Sequence, residues 1–203
     1  MIETPSLELE EALWQSGVKF IGGIDEAGRG AWAGPVFAGA VILPQDRQIR
    51  LTLAGVRDSK QMTPRQRARW ALEIQSAALA WAVGAASAAE IDSLGILPAT
   101  RLAMTRAIQG LSPAPEYHLF DFIHWKDCPF HGEKLVKGDS RSLSIAAASV
   151  LAKTARDQVL VELEGQYPGY GLARHKGYGT ALHRAAIREH GLASIHRKSF
   201  KIG

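Results

Sequence analysis

Two adjacent carboxylates, Asp25 and Glu26, end an apolar, glycine-containing run, and one alanine separates them from a Gly28-Arg29-Gly30 turn. Carboxylates are costly to bury unpaired, and they are the ligands that hard cations such as Mg²⁺ and Mn²⁺ prefer. Backbone N–H groups in a glycine turn, beside an arginine, suit a phosphate or a sugar hydroxyl. The segment therefore predicts a site at which a metal ion meets a phosphodiester.

Two more acids stand at comparable positions. Asp121 ends a short apolar segment, and Asp139 lies just ahead of a long helix-forming segment. Several carboxylates that hold two divalent ions about 4 Å apart can activate a water molecule and stabilise the leaving oxygen of a phosphodiester. Alone, Asp139 could merely cap the helix, and Asp121 could lie in a turn at a strand end. The metal hypothesis therefore depends on the set of four acids.

The adjacency of Asp25 and Glu26 sets a geometric condition. Consecutive side chains of a regular strand point to opposite faces of the sheet. If both acids bind metal, the chain is therefore expected to leave the strand ladder between them, as the glycines that follow permit. Without metal the acids repel one another, so the pKa of at least one of them is expected to be raised.

Tyr178 lies between two glycines in the cationic segment RHKGYGT, residues 174–180. An aromatic ring flanked by cations is typical of a loop that stacks on a sugar or base beside a phosphate backbone. A tyrosine in such a turn can also serve loop packing alone. Lys60, after Asp58 and Ser59, lies in a short loop from which its ammonium could reach a phosphate.

The sequence lacks the motifs of a phosphate-binding loop, a nucleophile elbow and a His-Glu-x-x-His zinc helix. Ser149 and Lys153 are four residues apart, without the Ser-x-x-Lys spacing, and we interpret them as ordinary helix surface. The C-terminal part also holds four histidines: His175, His183, His190 and His196. Their spacings of 8, 7 and 6 residues, without cysteines, suit nucleic-acid contact or an exposed surface better than zinc binding.

The excess positive charge is concentrated near the C-terminus. Residues 171–203 contain seven Lys and Arg against one Glu, a balance of +6, whereas the whole chain carries +4. A basic end on a near-neutral body suggests a polyanionic partner, the alternative being a solvated charged surface. We interpret residues 171–203 as a basic substrate-binding extension of a single domain that spans residues 1–203.

The length of 203 residues and the amino-acid composition are those of a globular protein, and the chain is long enough for a substantial core. No apolar run is long enough to span a membrane, and the acidic N-terminal segment is unlike a signal peptide. The single cysteine, Cys128, cannot form an internal disulfide, which fits a reducing cytosol. We therefore expect a cytoplasmic protein, and a monomer.

Periodicity predicts three strands followed by mixed helix and strand, which is an α/β plan with an antiparallel start. The predicted strands cover residues 18–25, 36–43, 80–87, 117–121 and 134–137. The predicted helices cover residues 63–78, 89–110 with an interruption at Pro98, 142–165 and 181–190. Asp25, Glu26 and Asp121 all lie at predicted strand ends, where sites of such sheets gather.

Taken together, the motifs closely resemble those of ribonuclease HII, the bacterial type 2 ribonuclease H. They are GIDEAGRG at 23–30, AGPV at 33–36, DSK at 58–60, KGD at 137–139, SIAAAS at 144–149, HKGY at 175–178 and HRKSF at 196–200. The resemblance covers nearly everything from Ile21 to Phe200. It implies a ribonuclease H-like fold: a mixed five-stranded sheet flanked by helices, with a helical C-terminal extension.

The resemblance also implies an activity. The family cuts RNA that is paired with DNA, and cuts 5′ of single ribonucleotides embedded in duplex DNA, with Mg²⁺ or Mn²⁺, leaving 5′-phosphate and 3′-hydroxyl ends. Four residues match its metal-site acids: Asp25, Glu26, Asp121 and Asp139. One departure is that Phe122 follows Asp121 where the family usually has glycine, so the nearby Asp127 is the alternative third acid.

The resemblance assigns the substrate contacts as well. Gly28, Arg29 and Gly30 match the family's loop that reads the ribose 2′-hydroxyl, the group that distinguishes RNA from DNA. Tyr178 matches the tyrosine that stacks on the deoxyribose just after the ribonucleotide. Arg29, Lys60 and Lys176 are expected to hold the phosphate backbone.

Two other functions remain to be weighed. A non-catalytic nucleic-acid-binding protein on the same scaffold would rely on the basic C-terminal part, but four acids beside a phosphate would repel its ligand unless metal is present. A ribonuclease H-like DNA nuclease would keep the acids, but it does not explain the Gly-Arg-Gly turn together with Tyr178.

Overall fold

The structure is a computed structural model, and it describes residues 4–202. A five-stranded sheet lies at its centre, in the order β3-β2-β1-β4-β5. The strands are β1 (Ile21–Ala27), β2 (Val36–Ile42), β3 (Ala80–Ala86), β4 (Tyr117–Asp121) and β5 (Gly132–Leu135). The first three pair antiparallel, whereas β4 runs parallel to both β1 and β5. The predicted mixed five-stranded sheet is confirmed.

Helices cover both faces of this sheet. They are α1 (Glu8–Gln15), α2 (Ile49–Thr52), α3 (Pro64–Ala77), α4 (Ala88–Leu94), α5 (Ile96–Gln109), α6 (Gly138–Arg141), α7 (Leu143–Gln166), α8 (Leu172–His175) and α9 (Ala181–His190). Alternate side chains of β2 point to the two faces: Val41 packs with α7, whereas Ala40 and Ile42 pack with α5. Within residues 4–202, no helix combines the length and apolar character that a membrane crossing requires.

Helix α7 lies unusually close to the sheet because two strand glycines face it. A side-chain carbon added at Gly23 would overlap the backbone of Ser144, and one added at Gly39 would overlap the carbonyl of Ala148. The small residues of α7 fill the opposite side of this contact. The glycines thus fix the position of α7 against β1, the strand that carries Asp25.

The predicted elements agree with the structure except at particular points. Strand β1 covers residues 21–27 rather than 18–25, and β5 covers residues 132–135 rather than 134–137. The break in the segment 89–110 occurs at Gly95 rather than at Pro98, which lies in the first turn of α5. A proline is tolerated there because the N–H it lacks has no helical partner. Helix α1 was not predicted. Its Glu10 is buried and accepts hydrogen bonds from the hydroxyls of Ser142 (2.6 Å) and Ser144 (2.7 Å) at the start of α7.

Candidate active site

Three of the four predicted acids meet where β1 and β4 separate. Asp25, Glu26 and Asp121 each place a carboxylate oxygen within 4.8 Å of the others. The pairing of β1 with β4 ends at Ile24, whereas β1 continues beside β2 as far as Ala27. The expectation that the chain leaves the ladder between the two acids is therefore wrong. The open side of β1 gives the longer Glu26 side chain room to reach the group.

The three acids are held close together without neutralising partners for all their oxygens. Burial, and then the charges of Glu26 and Asp121, raise the pKa of Asp25 well above its usual range. Glu26 accepts a hydrogen bond from Arg29 at 3.0 Å through one oxygen, but its second oxygen is buried and has no hydrogen-bond partner among residues 4–202. A divalent cation would satisfy this oxygen and offset the repulsion, so the donor set fits Mg²⁺ or Mn²⁺.

The fourth acid, Asp139, is buried beside the group but is not one of the three. Burial, and then the charges of Asp58 and Asp121, raise its pKa to about 6, with Lys60 acting in the opposite direction. The cap of α7 is Ser142, whose hydroxyl accepts from the backbone N–H of Ile145 at 3.2 Å. The alternative in which Asp139 merely caps α7 is therefore wrong.

Phe122 does not displace Asp121. The Asp121 carboxylate accepts a hydrogen bond from the backbone N–H of Gly138 at 2.8 Å, which ties the end of β4 to the segment that carries Asp139. The Phe122 side chain points to solvent and is 54% exposed. Asp127 is exposed and is not a member of the three-acid group. The structure thus favours Asp121 over Asp127 as the third acid.

A cavity of about 480 Å³ opens beside the acids. Its lining includes Glu26, the turn at residues 28–30, Lys60, Lys153 and Tyr178. Burial lowers the pKa of Lys60, but the charges of Asp25, Asp58 and other nearby acids outweigh it, so the pKa is raised and the ammonium stays charged. One acid of the group, the glycine turn, the lysine and the tyrosine, predicted from distant parts of the sequence, therefore face one space.

Lys176 lies apart from this cavity. Its ammonium contacts the carbonyl of Ala173, and its own carbonyl accepts a hydrogen bond from Arg156 at 2.8 Å. The side chain lines a neighbouring groove together with Arg67 and Asp157. Of the residues predicted to contact substrate, Lys176 is the one that the structure does not place in the cavity.

Two residues were wrongly interpreted as ordinary helix surface. Ser149 is buried, with its hydroxyl 2.8 Å from that of Ser59, and Lys153 lines the cavity with its ammonium 5.3 Å from the centre of the Tyr178 ring. Arg156, also unpredicted, is fully buried and lies 5.1 Å from the same ring. These residues are spaced four and three apart on α7, a helical stripe that the sequence contained.

The prediction that the C-terminal histidines form surface or nucleic-acid contacts is wrong for three of them. His183 and His196 are fully buried, and His175 is nearly so. Arg197 is fully buried as well, so part of the basic charge of residues 171–203 faces the interior. It donates hydrogen bonds to the carbonyls of Arg29 (2.8 Å) and Gly34 (3.0 Å), and so holds the glycine turn from behind.

The two glycines of the turn are expected to respond differently to substitution. Gly28 has φ +94°, and an added side-chain carbon would overlap Arg156, whereas Gly30 has open space around it. We expect Gly28→Ala to lower the free energy of unfolding by about 1–3 kcal/mol and Gly30→Ala to change it by less than about 0.5 kcal/mol. Urea unfolding without substrate measures both, and equal stabilities would contradict the prediction.

Comparison with known proteins identifies the family. The family model described as "Ribonuclease HII" matches residues 22–202. The chain belongs to the ribonuclease HII family. As a member of this family it is a metal-dependent endoribonuclease that acts on RNA–DNA hybrids.

Curated ribonucleases HII match the chain over nearly its full length. The chain is 47% identical to one from Dehalococcoides mccartyi over 196 residues, which cover 97% of this chain and 92% of the relative. It is 50% identical to one from Geobacillus kaustophilus, over 96% of this chain and 73% of the relative. The first of these relatives is therefore matched along almost all of both chains.

Solved structures show the same fold at lower sequence identity. The crystal structure of ribonuclease H2 from Pyrococcus horikoshii superposes with a TM-score of 0.76 at 23% identity, over 90% of this chain and 94% of that chain. The crystal structure of Bst-RNase HIII in complex with Mn²⁺ gives a TM-score of 0.72 at 23% identity, over 94% of this chain and 70% of that chain. The fold of this ribonuclease HII family member is thus shared with type 2 and type 3 ribonucleases H.

Proposed function

We propose that the protein cuts the RNA strand of RNA–DNA hybrids and also cuts 5′ of single ribonucleotides embedded in duplex DNA, leaving 5′-phosphate and 3′-hydroxyl ends. The observation that carries the proposal is the three-acid group at the edge of a cavity that also contains a glycine turn and an aromatic ring. In a protein that only bound nucleic acid, these acids would weaken the binding, since they repel phosphate.

The four acids would hold the metal: Asp25, Glu26, Asp121 and Asp139. Bound Mg²⁺ or Mn²⁺ supplies Lewis-acid activation of water and stabilisation of the leaving oxygen, and two such ions suit the number of acids. The chain's own groups orient the substrate. The Lys60 ammonium, on the lining of the cavity, would contact a phosphate, whereas the Arg29 guanidinium also holds Glu26 in place through its 3.0 Å ion pair.

The glycine turn would read the ribose. Among the hydrogen bonds of residues 4–202, the backbone N–H groups of Arg29 and Gly30 have no protein acceptor, and both residues line the cavity. Free amides next to open space suit the 2′-hydroxyl, which both donates and accepts hydrogen bonds. Because a deoxyribose lacks this group, the turn favours RNA over DNA at the position that is cut.

Tyr178 would recognise the nucleotide that follows. Its ring lies against the cationic groups of Lys153 and Arg156, which face it from α7. Part of the ring surface contacts these cations, and another part is open to the cavity. Such a ring is suited to stack on a deoxyribose. This contact, together with the glycine turn, argues against the DNA nuclease alternative.

Cleavage of defined duplexes tests the proposal. We expect the wild-type protein, with Mg²⁺ or Mn²⁺, to cut a DNA duplex on the 5′ side of one embedded ribonucleotide and to cut a continuous RNA strand paired with DNA. An all-DNA duplex of the same sequence serves as the control and should stay intact. Binding of these duplexes without cleavage in either metal would favour the non-catalytic protein instead.

We further infer that the protein acts in the cytoplasm as a monomer. The single cysteine fits a reducing compartment. Light scattering during size-exclusion chromatography should then give a mass of 22.0 kDa. A mass twice as large would contradict the monomer.

A further inference from the structure

Three buried histidines form a connected cluster behind Tyr178. The rings of His175 and His183 stack with their centres 4.3 Å apart, and the Nε2 atoms of His183 and His196 are 3.1 Å apart. The described part of the chain places no carboxylate within hydrogen-bond distance of these rings. The cluster therefore lacks the acidic partner that usually stabilises a histidine cation.

The hydrogen bonds assign one proton to each ring. The Nδ1 atom of His183 lies 3.1 Å from the carbonyl of Tyr178, and a carbonyl only accepts, so Nδ1 carries the hydrogen. The Nε2 atom of His183 then accepts from His196, whose Nδ1 atom accepts from the N–H of Ala193 at 3.0 Å and also lies 3.2 Å from the Ala193 carbonyl. This assignment leaves each ring neutral and both nitrogens of each ring engaged.

His175 completes the network in the same way. Its Nδ1 atom accepts from the N–H of Gly177 at 3.1 Å, and its Nε2–H donates to the carbonyl of Tyr170 at 2.7 Å. A second proton on His175 would set its Nδ1–H against the N–H of Gly177. A second proton on the His183–His196 pair would place a charge on fully buried rings that no carboxylate offsets.

The surroundings also oppose a positive charge. Two buried arginines, Arg156 and Arg197, lie on the elements packed against the cluster. The other neighbouring groups are the rings of Tyr170 (4.9 Å from His196), Trp32 (5.9 Å from His183) and Tyr178, with the ionisable His190 beyond Tyr170 and the Arg184 guanidinium over Trp32. Asp92 and Asp157 act on the arginines rather than on the histidines.

The pKa values follow from these surroundings. Burial, and then the charge of His175, lower the pKa of His183 to about 4. Burial also lowers the pKa of His196, although its hydrogen bond to the Ala193 backbone acts in the opposite direction. Since a folded-state pKa below the free value favours the neutral ring, the stability that these histidines give is present above about pH 6.5 and is lost as the pH falls towards the folded pKa.

The network holds the two residues that set the position of the Tyr178 ring. It binds the N–H of Gly177 and the carbonyl of Tyr178 itself. The Gly177 carbonyl in turn accepts from the N–H groups of Trp32 (2.8 Å) and Ala33 (3.2 Å), just after the glycine turn. The histidines thus connect the tyrosine to the loop that would read the ribose.

We propose that His175, His183 and His196, as a neutral network, are positioning residues that hold Tyr178 at the substrate, so that mild acid weakens cleavage at a single ribonucleotide more than cleavage within continuous RNA. The inference rests on the proposed junction role of Tyr178. For each histidine that must stay neutral in the closed loop, opening of the loop becomes about tenfold more favourable between pH 7.5 and pH 5.5.

Hydrogen exchange gives a readout that does not depend on activity. We expect the protection factors of the Gly177 and Tyr178 amides to fall by about 10- to 100-fold from pH 7.5 to pH 5.5, with little change in the amides of β2. Over the same range, the ratio of single-ribonucleotide to continuous-hybrid cleavage should fall. The ratio removes effects on the metal site, because both substrates use it. Constant protection, or a fall shared by β2, would overturn the proposal.

Variants separate this inference from the proposed function. His183→Phe removes the donor to the Tyr178 carbonyl and should lower the cleavage ratio at pH 7.5. His196→Gln keeps a donor towards His183 but cannot take up a proton, so the ratio should depend less on pH. His124→Gln, at an exposed site, is the control and should leave the cleavage ratio and its pH dependence unchanged.

Comparison with Tyr178→Ala separates the positioning role of the histidines from the junction role of Tyr178. If Tyr178→Ala lowers the cleavage ratio and His183→Phe, folded by circular dichroism, does not, the positioning role fails while the junction role stands. If Tyr178→Ala leaves the ratio unchanged, the junction role itself fails. If both variants lower the ratio and His196→Gln flattens its pH profile, the positioning role is supported.

Discussion

Asp25→Asn is expected to lower the cleavage rate by at least about 100-fold while raising the melting temperature of the metal-free protein. The rate falls because metal stabilisation of the transition state is worth several kcal/mol and each 1.4 kcal/mol is about tenfold. The stability rises because Asp25 is buried beside Glu26 and Asp121, whose charges raise its pKa, and asparagine removes the repulsion. The two effects have opposite signs, which a simple loss of folding would not produce.

Thermal unfolding and cleavage assays measure the two effects on one preparation. A gain of about 1 kcal/mol corresponds to about 2–4 °C for a chain of this size. Addition of Mn²⁺ should raise the melting temperature of the wild type and raise that of the variant much less. Asp127→Asn, at the exposed acid outside the group, is the matched control and should behave as the wild type. A variant that is less stable than the wild type without metal would contradict the account.

Tyr178→Ala is expected to reduce cleavage at a single embedded ribonucleotide by about 10- to 100-fold, since stacking on an aromatic side chain is worth about 1–3 kcal/mol. Cleavage within a continuous RNA strand should change less, because no RNA-to-DNA junction follows the cut there. Tyr178→Phe keeps the ring that faces Lys153 and Arg156 and should retain most of the activity.

Single-turnover rates on the two substrates measure this selectivity. Urea unfolding of both Tyr178 variants provides the folding control, because the alanine also removes a cation–π partner from the buried Arg156. Equal losses on both substrates would assign Tyr178 to general binding rather than to the junction.

The sequence predicted those parts of the site that depend on local pattern. Strand β4 and helix α9 have the predicted bounds, and Thr63 caps α3 with Gln66 in a capping box. Asp121 ends β4 as apolar periodicity predicts, whereas β1 continues two residues beyond Asp25, to Ala27. The match to family motifs added the roles of the glycine turn and Tyr178.

The remaining parts depended on contacts between distant segments. The burial of His183 and Arg197 cannot be read from composition, because it depends on distant contacts: His183 meets His196, and Arg197 meets the carbonyls of Arg29 and Gly34. Ser149 was misread because its partner, Ser59, is 90 residues away in sequence. The reach of Glu26 into the acid group depended on where the pairing of β1 with β4 ends.

The glycine contacts between α7 and the sheet have a consequence for how substrates are selected. Helix α7 rests directly on the backbones of Gly23 and Gly39. Two residues of α7 that lie against the Tyr178 ring, Lys153 and Arg156, therefore cannot shift relative to the strand that bears Asp25 unless the helix separates from the sheet. Asp25 and the α7 cations that lie against Tyr178 therefore keep a fixed separation. If these groups hold the metal and face the sugar as proposed, we expect discrimination between RNA and DNA to arise from how well a sugar fits a preformed site, without domain closure around the duplex.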